Sequence, residues 1–423
     1  LPYANIDGSA VRRAGLDRDL VRAVTMSPNL TGELLDRRMQ QNVYWAPSGV
    51  MDQLTADALA TGGVNAFVLA DTALPPAEHI SYTPNGITKL NTTSGDTKAI
   101  LRDSGLSAAL MMPAHTTSER VLARQRFLAE LGVATTELPD VGRTLVAGPN
   151  NVLWDIDPTL ATELLDAVNR ASFLTATPLA DLLAAGVKDS TANPPRERVR
   201  YASTNRNAEL SDSYMARVKD AQQQLSELSS VVDDPAGIIE PMSQALLRAE
   251  SAAWRGEPAT GERLIRNLSN TVSDDINQIR ILSKGSVTFS GDNGIVPITI
   301  ANDFDRAVTV GIRLVGQPTL RLESAPVQGI TIAPGKNATV EIPVRVIGSG
   351  MLPVSAQLLT PDGELYGKPT QIELTSTAYA RAAAWVIGIA FAAIAVFVVF
   401  GIVRRIHGSR STAKPAESGN LES

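Results

Sequence analysis

The spacing of apolar positions changes along the chain, and each change marks a different kind of structure. Over residues 1–187 short apolar runs alternate with helical patterns. The runs at 43–46 (VYWA), 64–70 (VNAFVLA), 108–112 (AALMM), 144–147 (TLVA) and 172–175 (SFLT) predict strands. Patterns at 17–39, 51–61, 118–131, 158–171 and 178–185 predict helices, and LPYANID at 1–7 reads as the end of a strand. Strand-helix alternation of this kind means a parallel sheet covered by helices, either an open sheet or a partial (β/α) barrel. Functional groups in such folds gather at the carboxyl ends of the strands.

A polar, proline-containing linker, 188–208, separates this region from a helical one, 209–283. One helical pattern carries Tyr214, Val218, Ala221, Leu225 and Leu228; a second covers about 241–255; a third carries Leu264, Leu268, Val272, Ile276 and Ile279. Each apolar face is narrow, so these helices should pack on one another or on the preceding domain. From Lys284 the period becomes 2, as in Leu320 and Leu322, 340–346, 352–358, and Ile372 and Leu374. Turn sequences GDNG, PGKN and PDG separate the runs. Seven or so short strands over 284–377 predict an immunoglobulin-like β-sandwich without a disulfide.

The run 382–403 has no charged residue, Asn or Gln, and Arg404, Arg405, His407 and Arg410 follow it. At about 1.5 Å of rise per residue it is long enough to cross a hydrocarbon core of about 30 Å, and it predicts a transmembrane helix. Basic residues concentrate on its C-terminal side, so the positive-inside bias puts the tail 404–423 in the cytoplasm and the rest of the chain outside the plasma membrane. Ala384, Gly388 and Ala392 form a small-residue stripe on this helix that permits close packing against a partner. The fold class is thus multidomain: α/β, helical, all-β and one membrane span.

Composition narrows the chemistry. A net charge of -6 gives no basic footprint, which excludes nucleic acid as a partner. The chain has no cysteine, which removes thiol nucleophiles, cysteine zinc sites and iron-sulfur clusters. It begins without an initiator Met or signal peptide, so an export signal is expected from a portion preceding Leu1. No GxSxG elbow, GxGxxG or GxxxxGK[ST] loop occurs, which disfavours serine hydrolase, dinucleotide and nucleotide chemistry.

Asp71, His79 and His115 are residue types that bind zinc or iron, but no HxxxH or HxxE spacing fixes two of them on one helical turn. The ordinary reading is a solvent-facing His79 and a hydrogen-bonded His115; no metal or other cofactor is expected. Glycoside cleavage needs one protonated and one ionised carboxyl group, and Asp71, Glu137, Asp140 and Asp155 are candidates around one rim. Asp157 before Pro158 reads instead as a helix cap. Tyr44 and Trp45 are candidates for a sugar-stacking platform, with core packing as the ordinary reading. Trp385 reads as an interfacial anchor.

The motifs LPYANID, FVLAD ending at Asp71, RQRFLAELGV around Phe127, WDIDP, ALLRAESAAWRG around Trp254, GIVPITIANDFDRAVTV and LLTPDGELYG occur in that order. In this the chain resembles an uncharacterised actinobacterial, mycobacterial-type family of single-pass cell-envelope membrane proteins. The resemblance implies a gene commonly neighbouring that of the lipid II flippase, and an α/β domain similar to glycoside hydrolases and polysaccharide deacetylases. The deacetylases' Asp-Asp motif and HxxxH pair are missing here, so no catalytic residues carry over. The resulting expectation is a non-enzymatic envelope protein that binds a glycan or a membrane-protein partner, the lipid II flippase among them, in peptidoglycan biogenesis. The alternatives are a carboxylate-dependent wall-glycan hydrolase or deacetylase, and an accessory subunit of a transporter or flippase acting through its membrane helix.

Overall fold

A computed structural model describes residues 1–36, 43–149, 156–187, 190, 192–282, 285–289, 291–317, 319–348, 350–376 and 379–408. The chain forms two compact units, one of Leu1–Ser226 with Pro235–Ser273, the other of Glu227–Asp234 with Asp274–Ser423. Twelve α-helices and thirteen strands are described.

The first unit begins with a short 3-10 turn, Tyr3–Asn5, in which Ala4 and Asn5 take left-handed backbone angles (φ 58° and 49°). LPYANID is therefore not a strand end; Ile6 makes only an isolated bridge to Ser251. Helices α1 (Gly8–Arg13) and α2 (Asp17–Leu35) follow, then β1 (Val43–Trp45), α3 (Gln53–Thr61) and β2 (Ala66–Ala70). A hairpin, β3 (Ile87–Thr92) and β4 (Gly95–Arg102), completes a sheet of order β1-β2-β4-β3. β1, β2 and β4 are parallel, and β3 is an antiparallel edge. The hairpin is absent from the sequence-based reading, although Ile87, Leu90 and the turn at Gly95 signal it.

Helices α4 (Ser104–Leu110), α5 (Thr117–Glu137), α6 (Pro158–Arg170) and α7 (Leu179–Ala184) come next. Three strand expectations fail here. AALMM belongs to α4 because Asp103 caps that helix and Leu106 and Ala109, three apart, join Phe127, Leu131, Leu160 and Leu164 in one core. TLVA is held by single bonds, Gly86 N to Thr144 O and Asp103 N to Val146 O, and makes no ladder. SFLT has no regular structure and leaves Phe173 half exposed. A short apolar run cannot by its period be told from one face of a helix, and capping decided the AALMM case. Elsewhere capping agrees with expectation: Asp157 accepts from Leu160 N at 2.9 Å with Pro158 in the first turn, and Thr116 with Glu119 forms a capping box on α5.

Helices α8 (Ser203–Asn207), α9 (Asp212–Val231), α10 (Ala236–Ala249) and α11 (Pro258–Asn277) complete the helical part, and the division between units falls within α9 and α11. Tyr214, Val218, Ala221, Leu225 and Leu228 are all buried along α9, as their spacing predicts.

The second unit carries the period-2 strands: β5 (Ile279–Leu282), β6 (Ser286–Phe289), β7 (Asn293–Asn302), β8 (Val308–Gly316), β9 (Leu322–Ser324), β10 (Val327–Ile332), β11 (Lys336–Val346), β12 (Gly350–Leu359) and β13 (Leu365–Ser376). They form sheets of order β10-β8-β12-β13-β6 and β5-β7-β11-β9, antiparallel except for the parallel β13-β6 pair. Alternate residues such as Val296, Ile298 and Ile300 on β7 and Leu352, Val354 and Ala356 on β12 are buried. Gly335 and Gly363 turn the chain with φ of 63° and 88°, angles that side chains resist.

Helix α12 (Tyr379–Gly408) contains a window, Trp385–Arg404, long and apolar enough to cross a membrane. None of that window is buried within the protein, so it is not a core helix.

Candidate functional site

Parallel pairing sets Ala70 of β2 opposite Arg102 of β4, so the next residues, Asp71 and Asp103, leave the sheet side by side at its carboxyl end. There they line a cavity of about 220 Å³ together with Asn85 and Arg196. The opposite wall comes from the expected linker. Residues 192–199 run against 73–77, with Ala77 N bonded to Pro195 O, Glu197 N to Pro75 O and Val199 N to Ala73 O.

Asp71 accepts from Thr72 N at 2.7 Å, from Ser104 N at 2.9 Å and from the Ser104 hydroxyl. Asp103 accepts from Leu106 N at 2.8 Å as the cap of α4. Burial pushes the Asp103 carboxyl up, the Leu106 amide pulls it back, and the charge of Asp71 adds to the rise. Arg196 donates to Leu74 O at 2.9 Å and Asn85 O at 2.8 Å, while its buried Nε has no partner among the described residues. Arg102, 3% exposed, donates to Gly148 O and Pro149 O and lies 5.7 Å from the centre of the Trp45 ring.

The other candidates scatter. Tyr44 is completely buried, accepts from Gly8 N at 3.2 Å and packs edge-on to Phe67, so it has no face for a sugar. Trp45 is partly buried, with the Arg102 guanidinium over its ring. Glu137 accepts from Thr83 N and from Arg143, itself bonded to Thr83 O and Ala134 O; this clamp joins α5 to the chain before β3. Asp140, His79 and His115 are exposed. Asp155 lies outside the described residues. Among the described residues no group of three His, Asp or Glu side chains is placed to hold a metal ion. On α12, Gly388 and Ala392 are exposed one turn apart.

Sequence reasoning missed Asp103, Arg196 and Asn85. Asp103 was legible only once β4 was recognised as a strand, and Arg196 and Asn85 carried no local signal.

A family model matches residues 2–417. The chain belongs to DUF6049, a family of unknown function. No curated protein matches it. Among solved structures, the alpha-amylase AmyC from Thermotoga maritima aligns at 12% identity over 64% of this chain and 66% of its own, with a TM-score of 0.45. Salmonella alpha-2-macroglobulin reacted with methylamine aligns at 23% identity over 23% of this chain and 7% of its own, with a TM-score of 0.18. WR4, an MSP family member of C. elegans, aligns at 11% identity over 24% of this chain and 98% of its own, with a TM-score of 0.19. At these scores the likenesses bear on neither function nor site, and the functional argument rests on the cavity itself. Asp71 is bonded to Ser104, the residue that follows Asp103, so the two carboxylates of the DUF6049 cavity share one wall.

Proposed function

We propose that this family member is a single-pass envelope protein whose extracytoplasmic α/β domain binds a saccharide without cleaving it. The observation that carries the reading is the cavity at the carboxyl ends of β2 and β4, where Asp71, Asp103 and Arg196 supply acceptors and a donor beside proline walls. At about 220 Å³ it falls below the roughly 300 Å³ at which drug-sized ligand pockets begin, so it suits one sugar ring or a chain end. Carboxylates and guanidinium in fixed positions hydrogen-bond sugar hydroxyls well. Hydrolysis needs carboxyl groups on opposite sides of the scissile bond. Asp71 and Asp103 instead share a wall through Ser104, and each already accepts from backbone amides.

In this reading the period-2 unit is an immunoglobulin-like sandwich serving as a stalk, and the α/β unit is a partial barrel-like relative of glycan-processing enzymes. The tail after α12 is cytoplasmic, by the basic residues that follow the span. The saccharide belongs to the peptidoglycan assembly pathway, in keeping with the resemblance to mycobacterial-type envelope proteins, and the lipid II flippase is the corresponding membrane partner.

The test uses the full chain in nanodiscs and wall-derived oligosaccharides. Wild-type protein binds them by calorimetry, and Asp71→Asn and Arg196→Ala weaken binding at least tenfold while melting as cooperatively as wild type. Absence of wild-type binding refutes the reading. One observation favours the hydrolase or deacetylase alternative, the raised Asp103 carboxyl, which is the property of a general acid. Release of sugar or acetate by wild type, abolished in Asp103→Asn, would establish that alternative instead.

A further inference from the structure

Strand β13 ends at Ser376 and α12 begins at Tyr379, so only residues 377 and 378 stand between the sheets of the second unit and the apolar helix of that same unit. Even fully extended, those three steps reach no more than about 11 Å. Six helical steps of about 1.5 Å, roughly 9 Å, then lead to Trp385, where the apolar window opens. Ser376 therefore lies within about 20 Å of whatever surrounds the start of that window.

Ser376 belongs to a rim that hydrogen bonds hold together. Its backbone is paired in register with Gly350 on β12 and Phe289 on β6, and its hydroxyl donates to Gly291 O at 2.8 Å. Val346 N donates to Asp292 O at 2.7 Å, Ile347 N to Arg321 O at 2.9 Å, and Arg321 Nε back to Ile347 O at 3.2 Å. The end of β13, the start of β12 and the β11–β12 connection thus come to one end of the unit, the end from which α12 departs.

Two large apolar side chains are exposed on this rim. Ile347 is 50% exposed although its backbone is bonded twice to Arg321, and Met351 is 61% exposed. Met351 pairs with Thr375, one residue before Ser376, and its neighbour Leu352 is completely buried, so alternation turns Met351 to the outer face. Exposed Asp292, Asn293 and Arg345 stand beside them. Apolar groups set among polar ones on a surface mark a contact with a partner or a membrane.

We infer that Ile347 and Met351 seat this rim in the interfacial layer of the bilayer that α12 crosses. The short connection decides the occupant, because it holds the rim beside the lipid that surrounds the helix, and the rim surface continues the apolar surface of α12. Arg345 is paired with Glu323 at 3.6 Å, and Arg321 is offset by Asp292, so the contact is apolar and indifferent to headgroup charge. The inference rests on reading α12 as a membrane span and is independent of saccharide binding, which involves residues of the other unit.

The experiment uses the full chain, which has no cysteine, so that Ile347→Cys, Met351→Cys, Leu365→Cys and Ile387→Cys each create one labelling site. Each variant carries a nitrobenzoxadiazole fluorophore and is reconstituted in phosphatidylcholine vesicles with or without lipid bearing a nitroxide near the headgroup. Ile387 in α12 reports the span, and Leu365, 51% exposed at the start of β13, reports water. The nitroxide lipid should quench the labels at 347, 351 and 387 at least twofold and leave 365 unchanged. Failure of quenching at either 347 or 351 in a variant with the wild-type melting temperature, while 387 is quenched, overturns the inference and leaves the span standing. No quenching at 387 removes the span and the inference with it. If one rim variant fails to fold, the other decides. Met351→Ser, added to the variant labelled at 347, should halve the quenching there; unchanged quenching would show that the dye alone draws the rim into lipid, and would overturn the inference.

Discussion

Arg255 grips Asp7 with two charge-assisted hydrogen bonds, Nε to Oδ2 at 2.7 Å and Nη2 to Oδ1 at 2.6 Å, and the Asp7 side chain is fully buried. Asp7 also accepts from Ala10 N at 3.3 Å and Leu210 N at 3.0 Å, so one carboxylate ties the start of α1 to two distant segments. Removing one partner of such a pair strands a buried charge. Arg255→Ala is expected to destabilise the first unit by about 3–5 kcal/mol, read as a lower denaturation midpoint; a loss under about 1 kcal/mol would mean that water reaches Asp7.

Glu250 lies in the same unit, fully buried, and among the described residues no donor reaches either oxygen. It faces Asp19, which accepts from Gln222 at 2.9 Å and feels the charge of Arg22. Burial, and then the charge of Asp19, push Glu250 well above the ordinary carboxyl range, so it keeps its proton. Above about pH 4.3, where an unfolded glutamate ionises, the native state holds the extra proton. This contribution to stability is therefore full in acid and is lost as pH rises through the raised folded value. Glu250→Gln keeps a donor and removes the ionisation. Its stability relative to wild type should grow as pH rises from about 5 to 8, measured by urea denaturation; a pH-independent difference contradicts the raised Glu250 carboxyl.

Asp103 has a structural duty separable from ligand binding. Asp103→Ala removes the cap of α4 and should cost about 1 kcal/mol, whereas Asp103→Asn preserves the cap and should leave the melting temperature nearly unchanged. Equal losses in both variants would show that the charge, not the cap, matters to the fold.

In the second unit Asn302 is completely buried, donating to Arg306 O at 2.8 Å, Ile332 O at 2.9 Å and Ala333 O at 3.2 Å and accepting from Phe304 N at 3.1 Å. Asn302→Ala leaves these backbone groups unsatisfied and is expected to cost at least about 2 kcal/mol, visible as a lowered melting temperature. A neutral substitution would indicate that water replaces the amide.

Removal of 379–423 should release the protein from membranes, while the full chain should resist carbonate extraction. Retention of the truncated form in the membrane fraction would place the anchorage elsewhere.

Patterns confined to neighbouring positions were legible without any coordinates. The apolar run at 382–403 predicts a helix, and the structure carries one there; the period of 2 after Lys284 became paired sheets, and Asp157-Pro158 became a helix start. In each case the pattern repeats over a few residues and needs no distant partner to be read. Contacts between remote segments set the rest. AALMM became helix because Asp103 caps it and α5 and α6 cover its face. The guanidinium over the Trp45 ring comes from Arg102, on another strand. Asp71, Asp103 and Arg196 meet only because of the β2-β4 register and the path of 192–199 past 73–77. Such convergence arises from hydrogen bonds between segments far apart in the chain, and no local spacing records it.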